Sequence, residues 1–411
     1  MNEHESDIKA DFLAVIDRQE SLALMEPLLI AEGSRHRGEL TDLAVELAVC
    51  SAGFRRSLPE GVHTALADLV RAMNCYYSNL IEGHDTHPVD IERALQNDYS
   101  NDPRKRDLQL EAKAHITVQQ WIDTGGLAGR SLSLAGIKET HHRFCELLPD
   151  DLLSIENADT GKRLKVVPGQ LRDRDVRIGL HVPISPGAVP RFLARYERTY
   201  SGLGRSDAIL SAAAAHHRLL WIHPFLDGNG RVARLVSHAR FLETLDTGGI
   251  WSVARGLARN VAAYKSHLTH CDQPRRNDLD GRGNLSEEAL AAFTRFFLEL
   301  CIDQVRFMED LVQPDRLRTR ILMWTEEEIR LGHLPPKSGS ILEAVLYRGE
   351  LPRGDAADIV GTGDRQARRT VSALVGKGVL TSESARGPLR LAFPAKLAFR
   401  WLPGLFPEKA E

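Results

Sequence analysis

The sequence predicts a mainly helical protein that ends in a small domain of different organisation. Apolar residues recur at spacings of three and four over most of the chain before Pro335-Pro336, as in residues 40–52 and 62–80. The proline pair stops the helical register, and shorter helix and strand patterns follow it. Together these observations indicate a large helical region joined to a small C-terminal domain.

Each element of the large region follows from the same spacing. Further helices are predicted at 108–122, 134–147, 189–200, 206–222 and 290–311, with a charged helix ending near Leu331. The 206–222 helix is strongly apolar and is placed in the core. A polar, proline-containing stretch at 100–106 suggests one boundary, and Pro335-Pro336 suggests another. The predicted division is an N-terminal region 1–105, a central core 106–310, a linker helix 311–335 and a C-terminal domain 336–411.

Residues 161–185 break the helical pattern. Leu171, Val176 and Ile178 lie among Arg and Asp residues, and Asp173-Arg174-Asp175 is polar. This arrangement predicts a short β-hairpin that turns near Asp173-Arg174-Asp175. The predicted fold class is therefore an all-helical core with one short hairpin, plus a small C-terminal domain.

The composition limits the classes of function. A hydrophobic fraction of 43% and a charged fraction of 27% are typical of a globular protein in water. The net charge of -3 argues against a general attraction to nucleic acid or to acidic membranes. The first eleven residues lack the apolar segment of a signal peptide, and no apolar run is long enough to span a membrane. Five scattered cysteines without C-x-x-C pairing favour a reduced, cytoplasmic protein without disulfides or zinc.

The segment that begins at His223 combines groups suited to a phosphorylated ligand. Gly228-Asn229-Gly230 can fold tightly around an anion at the start of a helix. Arg231 and Arg234 lie near that helix N-terminus, where they oppose the helix dipole but suit phosphate oxygens. Asp227 is placed to hold Mg²⁺, and His223 can act as a general base. Each feature alone is more often structural, but their joint order and spacing favour a site.

The same segment resembles the signature of the Fic family, H-x-F-x-[DE]-G-N-G-R-x-x-R, with every specified position filled. The resemblance implies a protein adenylyltransferase, which transfers AMP from ATP to a Ser, Thr or Tyr hydroxyl of a target protein. The implied roles are His223 as catalytic base, Phe225 as core anchor, Asp227 as Mg²⁺ ligand, Gly228, Asn229 and Gly230 as phosphate-binding loop, and Arg231 and Arg234 at the β- and γ-phosphates.

A second resemblance concerns residues 78–83, S-N-L-I-E-G, at the predicted end of the helix 62–80. Ser78 and Glu82 lie four apart on one helix face, and an acid in the last turn indicates a cationic partner. The stretch resembles the inhibitory [ST]-x-x-x-E-[GN] motif of Fic proteins with an N-terminal brake. The resemblance implies that Glu82 pairs with Arg234 and blocks productive placement of the γ-phosphate. The alternative is an exposed Ser and Glu at a helix end.

The predicted hairpin resembles the flap of the Fic family, whose edge would pair with an extended stretch of the target. Its candidate target-positioning residues are Leu171, Val176 and Ile178. Asn260 and Tyr264 fall on a later helix that lines the nucleotide pocket in similar proteins. The nearby histidines are interpreted as structural; they are His216, His217 and His238.

The C-terminal domain is predicted to contain three short helices and two strands. The helices are 341–346, 356–360 and one capped by Asp364 that ends near Val375, and the strands are 380–381 and 389–391. This order resembles a winged helix-turn-helix domain. Residues 361–390 hold six Lys or Arg and two Asp or Glu, so DNA is one candidate partner, and self-association as a homodimer or target docking is the alternative.

Two other functions compete with AMP transfer. One is removal of AMP from a modified protein, with Glu82 positioning a hydrolytic water. The other is a DNA-binding transcriptional regulator in which the same pocket senses a nucleotide. The complete set of signature side chains favours catalysis over the regulator. The target protein, the preference among nucleotides and the oligomeric state do not follow from the sequence.

Overall fold

The computed structural model describes residues 15–156, 161, 163–245 and 247–407, so the polar N-terminal segment at 1–11 lies outside the described residues. The prediction of a mainly helical fold is confirmed. The helices are α1 (Arg37–Arg56), α2 (Glu60–Ile81), α3 (Pro88–Leu95), α4 (Pro103–Asp123), α5 (Leu134–Cys145), α6 (Val189–Tyr200), α7 (Arg205–Leu210), α8 (Ala212–Ile222), α9 (Asn229–Leu245), α10 (Val253–Arg259), α11 (Val261–Cys271), α12 (Glu287–Leu311), α13 (Pro314–Arg330), α14 (Ser338–Arg348), α15 (Ala356–Val360), α16 (Asp364–Gly376) and α17 (Ala398–Trp401). The strands are β1 (Ser154–Glu156), β2 (Arg163–Lys165), β3 (Glu350–Leu351), β4 (Leu380–Thr381) and β5 (Leu389–Leu391). Within these described ranges, no helix is long and apolar enough to cross a membrane.

Helices α8 and α9 form the centre of the large region. Helix α8 is buried on nearly every side because its first turn is a run of alanines, which lets neighbouring helices approach closely. Helix α9 packs against α8, α2, α4 and α5. The single helix predicted at 206–222 is two helices. They separate at Ser211, whose hydroxyl donates to the carbonyl of Ala208 (3.3 Å) and competes with the helical pattern.

The hairpin predicted at 161–185 is wrong in its position. The observed antiparallel pair is β1 with β2, in which Ile155 lies opposite Leu164. Residues 166–185 contain no strand, and their one bridge joins Ile178 to His181 across a tight turn. The physical reason is that Arg172 fixes this segment instead: its guanidinium donates to the carbonyls of His223, Arg174 and Ile184.

The chain runs without a break through the first predicted boundary. Helix α4 begins at Pro103, and the side chain of Asp102 accepts from the backbone N–H of Arg104 (2.9 Å). The predicted boundary between residues 105 and 106 therefore falls in the first turn of α4. Helices α2 and α4, which come from opposite sides of it, pack against each other.

The C-terminal part follows the predicted order with one additional strand. Helices α14, α15 and α16 pack together, and the sheet order is β3-β5-β4, all antiparallel. The sequence pattern missed β3, which follows α14 directly and pairs with β5 about forty residues later. Gly363, not Asp364, is the N-cap of α16. Helix α13 packs against α14 and α17.

Candidate active site

His223 ends helix α8 in a left-handed conformation, with φ 51° and ψ 65°. This conformation is strained for a residue with a side chain and needs support from its surroundings. Arg172 supplies it: its Nε donates to the carbonyl of His223 (2.8 Å), its backbone N–H donates to Pro224 (2.9 Å), and its guanidinium also reaches the carbonyls of Ile184 and Ile222. A buried arginine therefore fixes the turn that presents His223.

The imidazole of His223 is held in its neutral form. Burial is the main cause that lowers its pKa to about 4, and the positive charge of Arg172 adds to the effect. A histidine with this pKa is unprotonated at neutral pH, which is the state a general base requires.

The loop after His223 is closed by the side chain of Asn229. Its Oδ1 accepts from the backbone N–H of Phe225 (3.0 Å), and its Nδ2 donates to the carbonyl of Phe225 (2.9 Å). Gly228 has φ 78°, so the left-handed residue of this loop is the glycine, whereas Asn229 already belongs to α9. The fully buried ring of Phe225 stacks on His141 at 3.8 Å, in agreement with a core anchor.

Helix α9 points its N-terminus into this loop. The first intrahelical bond runs from Val232 N–H to the carbonyl of Gly228, which leaves the preceding N–H groups without helical partners. These donors and the helix dipole favour an anion at this position. Asp227 lies exposed beside the loop. Within the described ranges, no group of three or more His, Cys, Asp or Glu could hold a metal without other ligands.

Arg234 lies against the end of helix α2. Its Nη2 donates to Glu82 Oε1 (2.5 Å) and to the carbonyl of Ser78 (3.1 Å), and its Nε donates to the Ser78 hydroxyl (2.8 Å). Burial opposes the charge on Glu82, but Arg234 outweighs it and holds the pKa of that carboxyl below its usual value. A Cβ at Gly230 would lie 2.5 Å from Glu82 Oε1, so glycine leaves room for the carboxylate.

Arg231 is neutralised by a second carboxylate. Its Nη2 lies 3.1 Å from Glu111 Oε2 on α4, and both side chains are almost fully buried. His84 approaches the same oxygen at 2.7 Å, and its hydrogen bond with Glu111 raises the pKa of the imidazole. The Nε of Arg231 is buried without a hydrogen-bond partner among the described residues. Both signature arginines are thus paired with acids from other helices.

The sequence pattern did not reveal Glu111, His84 or the roles of His141 and Arg172. One signal for Glu111 was available, because residues 111, 115 and 119 place a polar stripe along one face of α4, and all three are buried. The role of Arg172 had no such signal, since it binds backbone carbonyls that are distant in sequence. His141 also accepts from the backbone N–H of Gly169 (2.9 Å), a contact that depends on the loop geometry.

The remaining residues that the sequence pointed to fall into three groups. Leu171 lines a small groove with Leu226 of the signature, whereas Val176 is half-buried and Ile178 is exposed at the nearby turn. The hydroxyl of Tyr264 is hydrogen-bonded to His216 Nε2 (2.7 Å). The side-chain amide of Asn260 donates to the carbonyl of Gly256 (3.0 Å). The three neighbouring histidines are themselves buried: His216 contacts Ser237, His217 contacts Asp272, and His238 contacts Asp123.

The histidine, the anion-binding helix N-terminus and the two arginines all lie within residues 223–234. A family model described as Fic/DOC family matches residues 131–239, so the chain contains a Fic/DOC family domain. The solved structure of a Fic family protein from Desulfovibrio desulfuricans G20 has a TM-score of 0.51 at 15% identity and covers 89% of this chain and 98% of that one. This likeness shows the fold.

Relatives named protein adenylyltransferase Fic match part of the chain. The protein from Drosophila ananassae is 30% identical over 129 residues, which cover 31% of this chain and 26% of that protein. The protein from Drosophila grimshawi is 26% identical over 199 residues, which cover 46% and 38% respectively. The chain therefore spans between a quarter and two fifths of the length of these relatives.

Proposed function

We propose that this protein is a protein adenylyltransferase that transfers AMP from ATP to a Ser, Thr or Tyr hydroxyl of a target protein, and that Glu82 holds it inactive. One observation supports both parts of the proposal. Arg234, the residue expected at the γ-phosphate, donates to Glu82 and Ser78 beside an otherwise assembled anion site.

The chemistry follows from the positions of His223 and the α9 N-terminus. The neutral imidazole takes the proton from the target hydroxyl, and the oxygen attacks the α-phosphorus of ATP. The bond from that phosphorus to the bridging oxygen breaks, so AMP is joined to the target and pyrophosphate leaves. The chain contributes mainly position and charge stabilisation, through the backbone N–H groups of the loop and the two arginines.

A divalent cation fits beside this loop. Asp227 offers one exposed carboxylate next to the proposed phosphate position, and Mg²⁺ is commonly held by one or two carboxylates together with substrate phosphates. When bound, the ion would neutralise charge on the α- and β-phosphates. Asp227 is the residue that we assign to hold it.

The inhibited state follows from charge balance. Two buried arginines would attract a triphosphate strongly, but Glu82 and Glu111 each neutralise one of them. For ATP to place its γ-phosphate on Arg234, the Glu82 carboxylate must leave, because a carboxylate and a phosphate cannot share the same donors without repulsion. The same carboxylate would therefore compete with the substrate.

The test compares two glutamates that are both helix C-caps. Glu82→Gly should raise labelling of protein by ATP carrying a labelled α-phosphate at least about tenfold, since a charged hydrogen bond no longer opposes ATP. Glu146→Gly, at the C-cap of α5, is the control and should leave labelling unchanged. Equal labelling by wild type and Glu82→Gly would contradict the inhibitory role of Glu82. Absence of labelling in both would contradict the proposed AMP transfer.

Hydrolysis of AMP from a modified protein is the second candidate for this site. About a third of the Glu82 side chain remains exposed, so the carboxylate can contact a water molecule while it pairs with Arg234 (side-chain exposure 34%). The substrate would be the target already modified by Glu82→Gly. Release of AMP by wild type, together with its loss in Glu82→Gln, would favour this reaction.

For the C-terminal domain at 336–411 we propose a winged helix-turn-helix that binds duplex DNA. Helices α14 to α16 with β3, β5 and β4 follow the order of that motif. The exposed face of α16 carries Arg365, Arg368 and Arg369, and none of them has an ion pair with a described residue. Unpaired arginines on an exposed helix suit phosphate contacts.

A further inference from the structure

Helix α2 lies between the signature helix α9 and the C-terminal end of the chain. Ser78 and Glu82 contact Arg234 of α9. The neighbouring Tyr77 donates its hydroxyl to the carbonyl of Leu405 (2.8 Å), in a contact that is buried. Residues 401–407 are called the C-terminal tail below. Two adjacent residues of α2 thus contact different partners: Ser78 contacts Arg234, and Tyr77 contacts the C-terminal tail.

Aromatic packing strengthens the contact between the tail and α2. The ring of Phe406 meets the edge of Tyr76 at 5.5 Å, and Tyr76 meets Tyr77 at 5.0 Å. The hydroxyl of Tyr76 lies 3.3 Å from Asp85, three residues after Glu82. The tail is therefore connected through Tyr76 to the segment that immediately follows the inhibitory glutamate.

Two further contacts fix the tail and its domain. Arg255 on α10 donates to the carbonyl of Gly404 (2.9 Å), and its guanidinium stacks over Phe307 at 3.5 Å. At the other end of α2, a Cβ on Gly61 would lie 1.9 Å from the carbonyl oxygen of Gly349. Backbones this close leave no room for α2 to shift toward the C-terminal domain.

We propose that the C-terminal domain is the regulatory input of the brake, and that its tail keeps Glu82 on Arg234 by holding the last turns of α2 in place. The inference rests on the proposed AMP transfer and names its regulation. Withdrawal of Glu82 requires the end of α2 to move or unwind, and the tail opposes this movement through Tyr76 and Tyr77. A ligand that displaces the tail from α2 would release the brake.

The test uses the full chain and a double-mutant cycle. Phe406→Ala and Tyr77→Phe should each raise labelling from ATP about three- to tenfold, because one aromatic or hydrogen-bond contact is lost. In the Glu82→Gly background, Phe406→Ala should give no further increase. Phe399→Ala is the matched control, since this phenylalanine of α17 is 65% exposed and should have no effect.

The outcomes distinguish failure of the coupling between the tail and Glu82 from failure of the proposed AMP transfer. If Phe406→Ala gives equal gains with and without Glu82, or no gain while Glu82→Gly is active, the coupling is overturned and the transferase stands. If Glu82→Gly is inactive, the transferase fails, and amide hydrogen exchange then tests the coupling alone. Exchange in residues 78–85 should be faster in Phe406→Ala than in Phe399→Ala, and equal exchange would overturn the coupling.

Discussion

Arginines behave in opposite ways at the two ends of this protein. Arg231 and Arg234 of the signature are 6% and 2% exposed, and each contacts a carboxylate from another helix. Arg365, Arg368 and Arg369 on α16 are exposed and have no ion pair within the described part of the chain.

In the proposed function, the two groups of arginines serve two kinds of anion site. A buried charge must be neutralised, because its desolvation is costly, so we expect the acids at Arg231 and Arg234 to be displaced when a triphosphate binds. An exposed arginine keeps its hydration and needs no such partner, so the proposed DNA contacts of α16 require no displacement of an acid. Only the first site is expected to need an activating step.

The largest expected effect is the loss of AMP transfer when the proposed catalytic base is removed. In the Glu82→Gly background, His223→Ala should lower AMP transfer at least about 100-fold, because the hydroxyl loses its general base. His270→Ala, at an exposed position of α11, should retain activity in the same labelling assay. Labelling that survives in His223→Ala would assign the chemistry to another residue.

The buried pair of Arg231 should carry more stability than a surface pair. Glu111→Gln should lower the free energy of unfolding by about 3 kcal/mol, since it leaves a buried guanidinium without a countercharge. Glu46→Gln, which disrupts the partly exposed pair with Arg306, should lower it by less than about 1 kcal/mol. Denaturant titration of both variants measures the free energy of unfolding. Equal losses would contradict the larger contribution of the buried pair.

The open site should respond to salt. Arg368→Ala should weaken binding of duplex DNA and reduce the slope of log affinity against log salt by about 1, while labelling from ATP stays unchanged. Arg316→Ala on α13, where the arginine already pairs with Asp310, is the control. If the wild-type protein does not bind duplex DNA at low salt, the proposed DNA-binding role of α16 is wrong.

The smallest effect is a shift in pH dependence. Because burial and Arg172 lower the pKa of His223 to about 4, the base stays unprotonated through the neutral range. Activity of Glu82→Gly should therefore be flat near neutrality and fall at acid pH, with a midpoint below 6.5, the ordinary histidine value. A midpoint at or above 6.5 in the rate profile would contradict the lowered pKa.

Much of this molecule was accessible from the sequence because local patterns carry it. Helix α6 spans the predicted residues 189–200, and the two C-terminal strands β4 and β5 span the predicted 380–381 and 389–391. The signature residues lie together because the twelve residues 223–234, one loop and one helix start, contain them all. The hairpin predicted near Asp173-Arg174-Asp175 is absent for the opposite reason, since the conformation of this segment depends on Arg172, which binds carbonyls that are distant in sequence.

The sequence by itself determined the helical class, the anion loop and the candidate base, because each depends on neighbours within a few residues. Only the tertiary structure decided how the charges are balanced. Glu111 and His84 reach Arg231 from two other segments, and the C-terminal tail reaches Tyr77 across 328 positions. Contacts of that range depend on how helices pack. The motif at residues 78–83 indicated Glu82 as the partner of Arg234, but no local pattern indicated Glu111 as the partner of Arg231.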